Sequence, residues 1–411
     1  VKSEVLLPIF IIAANHPEML RTRSAIGHVA DLARYFPVVA ITGPRQAGKT
    51  TLARLTFPQK PYVSLENPDV RWTVTSDPRG FLNRYSGGAI IDEVQRVPDV
   101  FSYLQQLVDE NPSPGRWVLT GSRQFGLRSG ITQSLAGRAG LLHLLPFATH
   151  EWFAESLPAL DELLWTGLYP PLLDRSIPPG IFMPQYVATY VERDVRDILE
   201  LRDVGVFSRF IRLCAGRVGQ LLNLTSLGND VSVSHHTVRA WLDVLEASYL
   251  VFRLPPWHAN VAKRLVKSPK LYFYDTGLLC WLLGISSAEQ LLVHAQRGAI
   301  FENWVAVEVL KSMHNQGKPP QLYFFRDHTG NEVDLLISSG DKLHAIEIKS
   351  GETLNSSYFE GLHVFERLVK TACASQHVVY AGTDEPRHRN IQVHGWRGLV
   401  QKPFAHLTAT L

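Results

Sequence analysis

Two groups of residues have the types and spacing that chemistry needs. The first lies in "VVAITGPRQAGKTTLARL" (38–55), where Gly43 is followed, after four residues, by Gly48-Lys49-Thr50. Glycines so placed let successive backbone N–H groups turn inward on phosphate oxygens, and the helix that follows points its positive end at them. Gly43, Pro44, Arg45, Gln46, Ala47, Gly48, Lys49, Thr50 and Thr51 are the expected cradle, with Lys49 on the β- and γ-phosphates and Thr50 on Mg²⁺. Further along, "GGAIIDEVQ" sets Asp92-Glu93 at the end of an apolar run. A carboxylate there reaches the metal and its neighbour polarises the attacking water, so Asp92 is the expected metal ligand and Glu93 the general base. Ser122 stands just past the run "RWVLTG" and would touch the γ-phosphate or the water, because ligands of open parallel sheets sit at strand carboxyl ends. Arg138, in "SLAGR", has two readings: an arginine finger acting across a subunit boundary, or a surface ion pair.

The second group is in "QLYFFRDHTGNEVDLLISSGDKLHAIEIKSG" (321–351), which reads as three strands parted by "DHTGN" and "SSGD". Antiparallel pairing through "SSGD", with Ile337 opposite Lys342, places Asp334 opposite Ala345. Side chains alternate, so Asp334, Glu347 and Lys349 then share a face, with the two carboxylates diagonal at about 7–8 Å. Carboxylates at that separation can share a Mg²⁺, with Lys349 orienting or deprotonating a water. A slip of one residue would dissolve the site. Upstream, "GAIFENWVAVEVLKSM" (298–313) reads as a helix with Glu302 at the edge of its apolar arc and Glu308 inside it. A carboxylate directed at a core needs a partner, either a metal or a lysine. The competing reading of Asp334, Glu347 and Lys349 is a plain ion-pair network on a half-buried sheet.

These groups need elements to hold them. Val38 to Ile41 is the short β-branched run of a strand buried in a parallel sheet, and a helix follows the glycine loop. The 411 residues exceed one ordinary core, and 45% hydrophobic with 19% charged residues describes a folded chain rather than a disordered one. A net charge of +3 neither demands nor excludes nucleic acid. Cys214, Cys280 and Cys373 show no metal spacing and favour a reducing compartment, hence a cytoplasmic location. No run approaches the ~20 apolar residues of a membrane helix. Residues 1–18 are expected to be an extension outside the fold, within an N-terminal segment and entry helix over 1–36. A sheet domain is expected over 37–176. "SIPPGIFMP" punctuates its end, a helical, winged-helix-like unit follows over 177–260, and an α/β domain occupies 261–411. In the helical unit "SVSHHTVRAWLDVLEASYLVFRL" has Ser234 as N-cap, with Val238, Trp241, Leu242, Leu245 and Tyr249 on one helical face and a short closing strand. Its outer face carries Asp243 and Glu246, which would repel phosphate, so internal packing is favoured over reading DNA.

The cues "TGPRQAGKTTL", "IIDEVQRVP", "LTGSRQ" and "SLAGR", then "YVERDVRDI", "LYFYDTGLLCWLLG", "FENWVAVEVL" and "EVDLLI…EIKSG", occur in this order over roughly residues 20–351. Together they resemble the bacterial and archaeal AAA-type P-loop ATPases that end in a domain of unknown function, DUF4143. The resemblance implies an α/β fold with a parallel-sheet ATPase core, ATP and Mg²⁺ as cofactors, and ATP hydrolysis. Glu302, Asp334, Glu347 and Lys349 resemble the PD-(D/E)xK constellation of restriction endonucleases, which implies a nuclease-like C-terminal sheet and DNA or RNA as a candidate partner. Two alternatives stay open: a metal-dependent nuclease gated by ATP, and a nucleotide switch or scaffold without turnover. A trans-acting Arg138 would require a homo-oligomer.

Overall fold

The computed structural model describes residues 21–122, 134–153, 156–191, 203–257 and 267–401. The expected extension over 1–18 and most of "YVERDVRDI" lie outside the described residues. Five strands, β1 (Val38–Thr42), β2 (Tyr62–Ser64), β3 (Ile90–Asp92), β4 (Trp117–Gly121) and β5 (Ala139–His143), form a parallel sheet in the order β2-β3-β4-β1-β5. In the three central strands β3, β4 and β1, alternate residues sort to opposite sides and every residue is buried, which is why these strands read as short apolar runs. On one side Val39, Ile41 and Val118 meet Val29 of α1 (Ile26–Tyr35) and Leu52 and Ala53 of α2 (Lys49–Thr56). On the other, Val38, Ala40, Trp117 and Leu119 pack with Phe101, Leu104 and Val108 of α3 (Val100–Glu110).

The helical segment contains α4 (Val204–Ala215), α5 (Leu224–Val231) and α6 (His235–Ala247). Ser234 caps α6, its Oγ accepting from the Thr237 N–H at 3.1 Å, and Val238, Trp241, Leu242 and Leu245 form its buried face. Tyr249 is buried too, but it lies past the end of α6 with φ +55°, so it is held by a left-handed turn and not by helical spacing. Asp243 and Glu246 are taken by Arg253 of β6 (Val251–Leu254), at 2.8 Å and 3.0 Å. β6 pairs with β7 (Lys270–Phe273) across the boundary expected at residue 260.

The second sheet is mixed and six-stranded: β8 (Leu322–Arg326), β9 (Glu332–Ser339), β10 (Lys342–Lys349), β11 (Cys373–Tyr380), β12 (Arg387–His388) and β13 (Ile391–Gly395), ordered β12-β13-β11-β10-β9-β8. The three strands expected over 321–351 are β8, β9 and β10. Their register corrects the expected one. Ile337 pairs with His344 instead of Lys342, a shift of two residues that tightens the turn to Gly340 and Asp341. Gly340, at φ +59°, supplies the positive angle that such a two-residue turn needs first. The shift is even, so Asp334 and Glu347 stay on one face, each one residue beyond the last pair, Leu335 with Ile346.

α7 (Arg297–Asn315) covers one face of this sheet and α8 (Glu360–Val369) the other. A single apolar cluster runs from Leu145 and Leu164 through α4, α6 and α7 to Leu335, Ile346 and Val379. The helical segment and the second sheet therefore share one core. Glu308 is buried in α7 and accepts from Lys311 Nζ and the Thr149 N–H, both at 2.9 Å, so a lysine is its partner. Among the described residues, no helix is long and apolar enough to cross a membrane.

Candidate functional site

The loop after β1 turns through three left-handed angles, at Gly43 (φ +151°), Gln46 (φ +60°) and Gly48 (φ +90°), before α2 begins at Lys49. Gly43 is also a steric requirement: a Cβ there would lie 1.9 Å from the Leu144 carbonyl oxygen. Arg23 braces the loop from outside. Its guanidinium donates to the carbonyls of Ala47 (2.9 Å) and Leu145 (2.7 Å) and pairs with buried Glu151 at 3.1 Å. Lys49 is buried, with Nζ donating to the carbonyls of Gly43 (3.1 Å) and Pro44 (2.6 Å). Burial pulls its amine down to about 8, against the attraction of Glu93 and Asp92.

Parallel strands end at the same edge, and this gathers the remaining groups. Thr50 Oγ1 donates to Asp92 Oδ1 at 3.1 Å, from the start of α2 to the end of β3. Thr120 of β4 also donates to Asp92 Oδ1, and the Tyr62 hydroxyl of β2 donates to Oδ2 at 2.7 Å. Glu93 stands in a left-handed turn (φ +54°), and its Oε2 accepts from Ser122 Oγ at 3.1 Å and from Gln95. A cavity of about 450 Å³ opens beside the loop, lined by Arg45, Gln46, Lys49, Thr50, Thr51 and Glu93 on one side and by Pro170, Arg175, Tyr186 and Tyr190 on the other. Arg45 lies over the Tyr190 ring, 5.6 Å from its centroid. Pro44 and Ala47 complete the turn, and Ala47 is fully buried.

Arg138 is elsewhere. It precedes β5, its carbonyl accepting from the Val38 N–H at the start of β1, the end of the sheet opposite the glycine loop. Its guanidinium makes a forked contact with Asp109 at 2.5 Å and 3.0 Å.

At the second sheet, Glu302, Asp334, Glu347 and Lys349 do converge. Lys349 Nζ lies 2.5 Å from Glu347 Oε1 and 3.5 Å from Asp334 Oδ2, and the latter oxygen also accepts from the Ile348 N–H at 2.8 Å. Glu302 Oε1 accepts from the Tyr272 hydroxyl at 2.5 Å and from Lys270 Nζ at 2.9 Å. Lys270 further contacts Glu332 Oε1 and lies 3.7 Å from Asp334 Oδ1. Burial, and then the Asp334 charge, raises Glu347 to about 8. Among the described residues no three His, Cys, Asp or Glu side chains are grouped as a metal site.

Comparison with known proteins matches three stretches of the chain. An AAA domain matches residues 35–153, and two domains of unknown function, DUF8612 and DUF4143, match 157–289 and 297–397. The uncharacterized protein Rv2008c of Mycobacterium tuberculosis is 34% identical over 339 residues, which is 82% of this chain and 75% of that one. The chain belongs to its family. An uncharacterized protein of Haemophilus influenzae is 25% identical over 214 residues, 47% of this chain and 50% of its own. Among solved structures, the Walker-type ATPase PABY2304 of Pyrococcus abyssi is similar at 14% identity and a TM-score of 0.42, over 64% of this chain and 98% of that one.

In this member of the AAA–DUF4143 family, several site residues are not evident in the sequence. Arg23, Tyr62 and Thr120 touch the glycine loop or Asp92 from separate elements, and Lys270, Tyr272 and Glu332 do the same at the second sheet. Each belongs to an ordinary-looking strand or loop, and only the strand order brings it to its partner. The one available signal was "KLYFYD", a lysine in a strand otherwise built for a core.

Proposed function

We propose that the chain is a Mg²⁺-dependent ATP hydrolase in which residues 43–51 hold the triphosphate. The contact between Thr50 and Asp92 carries this reading, because the hydroxyl and carboxylate suited to one Mg²⁺ meet at the mouth of the loop. Bound there, Mg²⁺ would supply charge neutralisation between the β- and γ-phosphate oxygens. Lys49 would exchange its two carbonyl acceptors for phosphate oxygens. Glu93 would take a proton from the attacking water, with Ser122, already bonded to Glu93, orienting the water or the γ-phosphate. Arg138 lies at the wrong end of the sheet to serve its own chain's site, so a finger role would need a second subunit.

The test separates grip from chemistry. Lys49→Ala should weaken ATP binding by at least about tenfold in titration calorimetry, the loss of a charge-assisted contact. Glu93→Gln should keep binding and lose about 10²–10⁴-fold in phosphate release, as for a removed general base. Unchanged ATP affinity in Lys49→Ala would overturn the assignment, and unchanged turnover in Glu93→Gln would remove the general base from it.

A further inference from the structure

A nuclease-type centre at the second sheet would need Asp334 and Glu347 to open together onto a divalent cation. The donor set does not fit one. Mg²⁺ takes about six oxygens at about 2.0–2.1 Å and keeps several waters among them. Here Asp334 is 7% and Glu347 6% exposed, which leaves little room for water. Both Asp334 oxygens already face cations, Lys270 on one side and Lys349 on the other. Lys349 also holds Glu347 Oε1. The oxygen left over is Glu347 Oε2, buried and without a hydrogen-bond partner, and one such atom does not make a metal site.

Lys270 is the decisive residue. Its ammonium reaches carboxylates from two other elements, Glu302 of α7 and both Glu332 and Asp334 of β9. It is 2% exposed, and Nζ lies 5.5 Å from the centroid of the Phe324 ring. A buried ammonium with three carboxylate neighbours has nowhere better to go, because leaving would strand their charges in the core. A divalent ion entering the same cluster would face its repulsion at close range.

We propose that Lys270 is a built-in cation in the place where a nuclease would hold its metal. On this assignment the carboxylates form an ion-pair joint that fastens β7 to α7 and β9, and the second sheet neither binds catalytic Mg²⁺ nor cleaves nucleic acid. This is independent of the ATPase reading.

The experiment is a Mn²⁺ titration of the nucleotide-free full chain, followed by the electron paramagnetic resonance signal of free Mn²⁺, beside a cleavage assay on DNA and RNA with Mg²⁺ or Mn²⁺. Wild type and Glu347→Gln should bind Mn²⁺ identically, and neither should cut. Lys270→Met should gain one Mn²⁺ per chain, bound at least about tenfold tighter than by wild type, and the added substitution Asp334→Asn should remove it. A wild-type Mn²⁺ site lost in Glu347→Gln, or cleavage lost with it, would overturn the proposal. A folded Lys270→Met chain that gains no ion would overturn it as well. If Lys270→Met does not fold, the wild-type and Glu347→Gln comparison still decides.

Discussion

Lys49 holds its charge in a place that resists it. Its amine is lowered to about 8 by burial, and phosphate oxygens would raise it again. A group with a higher value in the complex favours binding at low pH. Below pH 8 Lys49 is charged in both forms and affinity should be flat. Above pH 8 binding should take up a proton, and affinity should fall by up to about tenfold per pH unit. Calorimetry in buffers of different ionisation enthalpy counts that proton, and a count of zero at pH 9 would contradict the environment described for Lys49. Arg23 offers a second test. Arg23→Ala strands Glu151, whose side chain is buried, and should cost about 3–5 kcal/mol in urea unfolding. It should also weaken nucleotide binding, since the same guanidinium holds the Ala47 carbonyl.

The glycine loop works as an element only if its backbone passes close to its neighbours. Gly43→Ala would drive a Cβ into the Leu144 carbonyl, whereas Gly48 has its nearest neighbour, Arg23 Nη1, at 3.6 Å and is constrained by its φ alone. Gly43→Ala should therefore lose nucleotide binding at least about tenfold and cost about 1–3 kcal/mol of stability through backbone strain. Leu104→Ala, in the buried stripe of α3, is the matching control. It should cost about 2–5 kcal/mol as a core cavity, with little change in the affinity of the folded fraction. Equal losses of affinity in both variants would show that the loop has no special demand at Gly43.

At the scale of the whole molecule, the helical segment and the second sheet share a core, while the first sheet has its own two. A hydroxyl and imidazole cluster joins the two regions: Tyr249 OH lies 2.7 Å from Oγ1 of Thr42, the residue before Gly43, and 2.8 Å from His143 Nδ1. Ile300, Trp304 and Val305 of α7 belong to the shared core, so a chain lacking residues 297–401 would leave it open. That truncation should aggregate or lose its cooperative unfolding, as read by sedimentation and urea denaturation. A monodisperse, cooperatively unfolding fragment would show that the helical segment has a core of its own.

The glycine-lysine-threonine spacing, the Asp92-Glu93 strand end and the strand pattern over 321–351 were legible in the sequence because each is a local rule of backbone geometry or period. The even register kept Asp334 with Glu347 and Lys349, although the turn was placed two residues too wide, since turn length depends on which residue takes the positive φ. Arg138 had two readings in the sequence, a finger acting across a subunit boundary or a surface ion pair, and strand direction put it at the far end of the sheet, in a forked contact with Asp109. Tertiary structure alone brought Tyr62 and Thr120 to Asp92 and Lys270 among Glu302, Glu332 and Asp334. The physical reason is that charge and hydroxyl contacts act at about 3 Å between atoms, whereas sequence records only distance along the chain. Which lysine reaches a carboxylate follows from strand order and side-chain reach, and those are decided by the packing of whole elements.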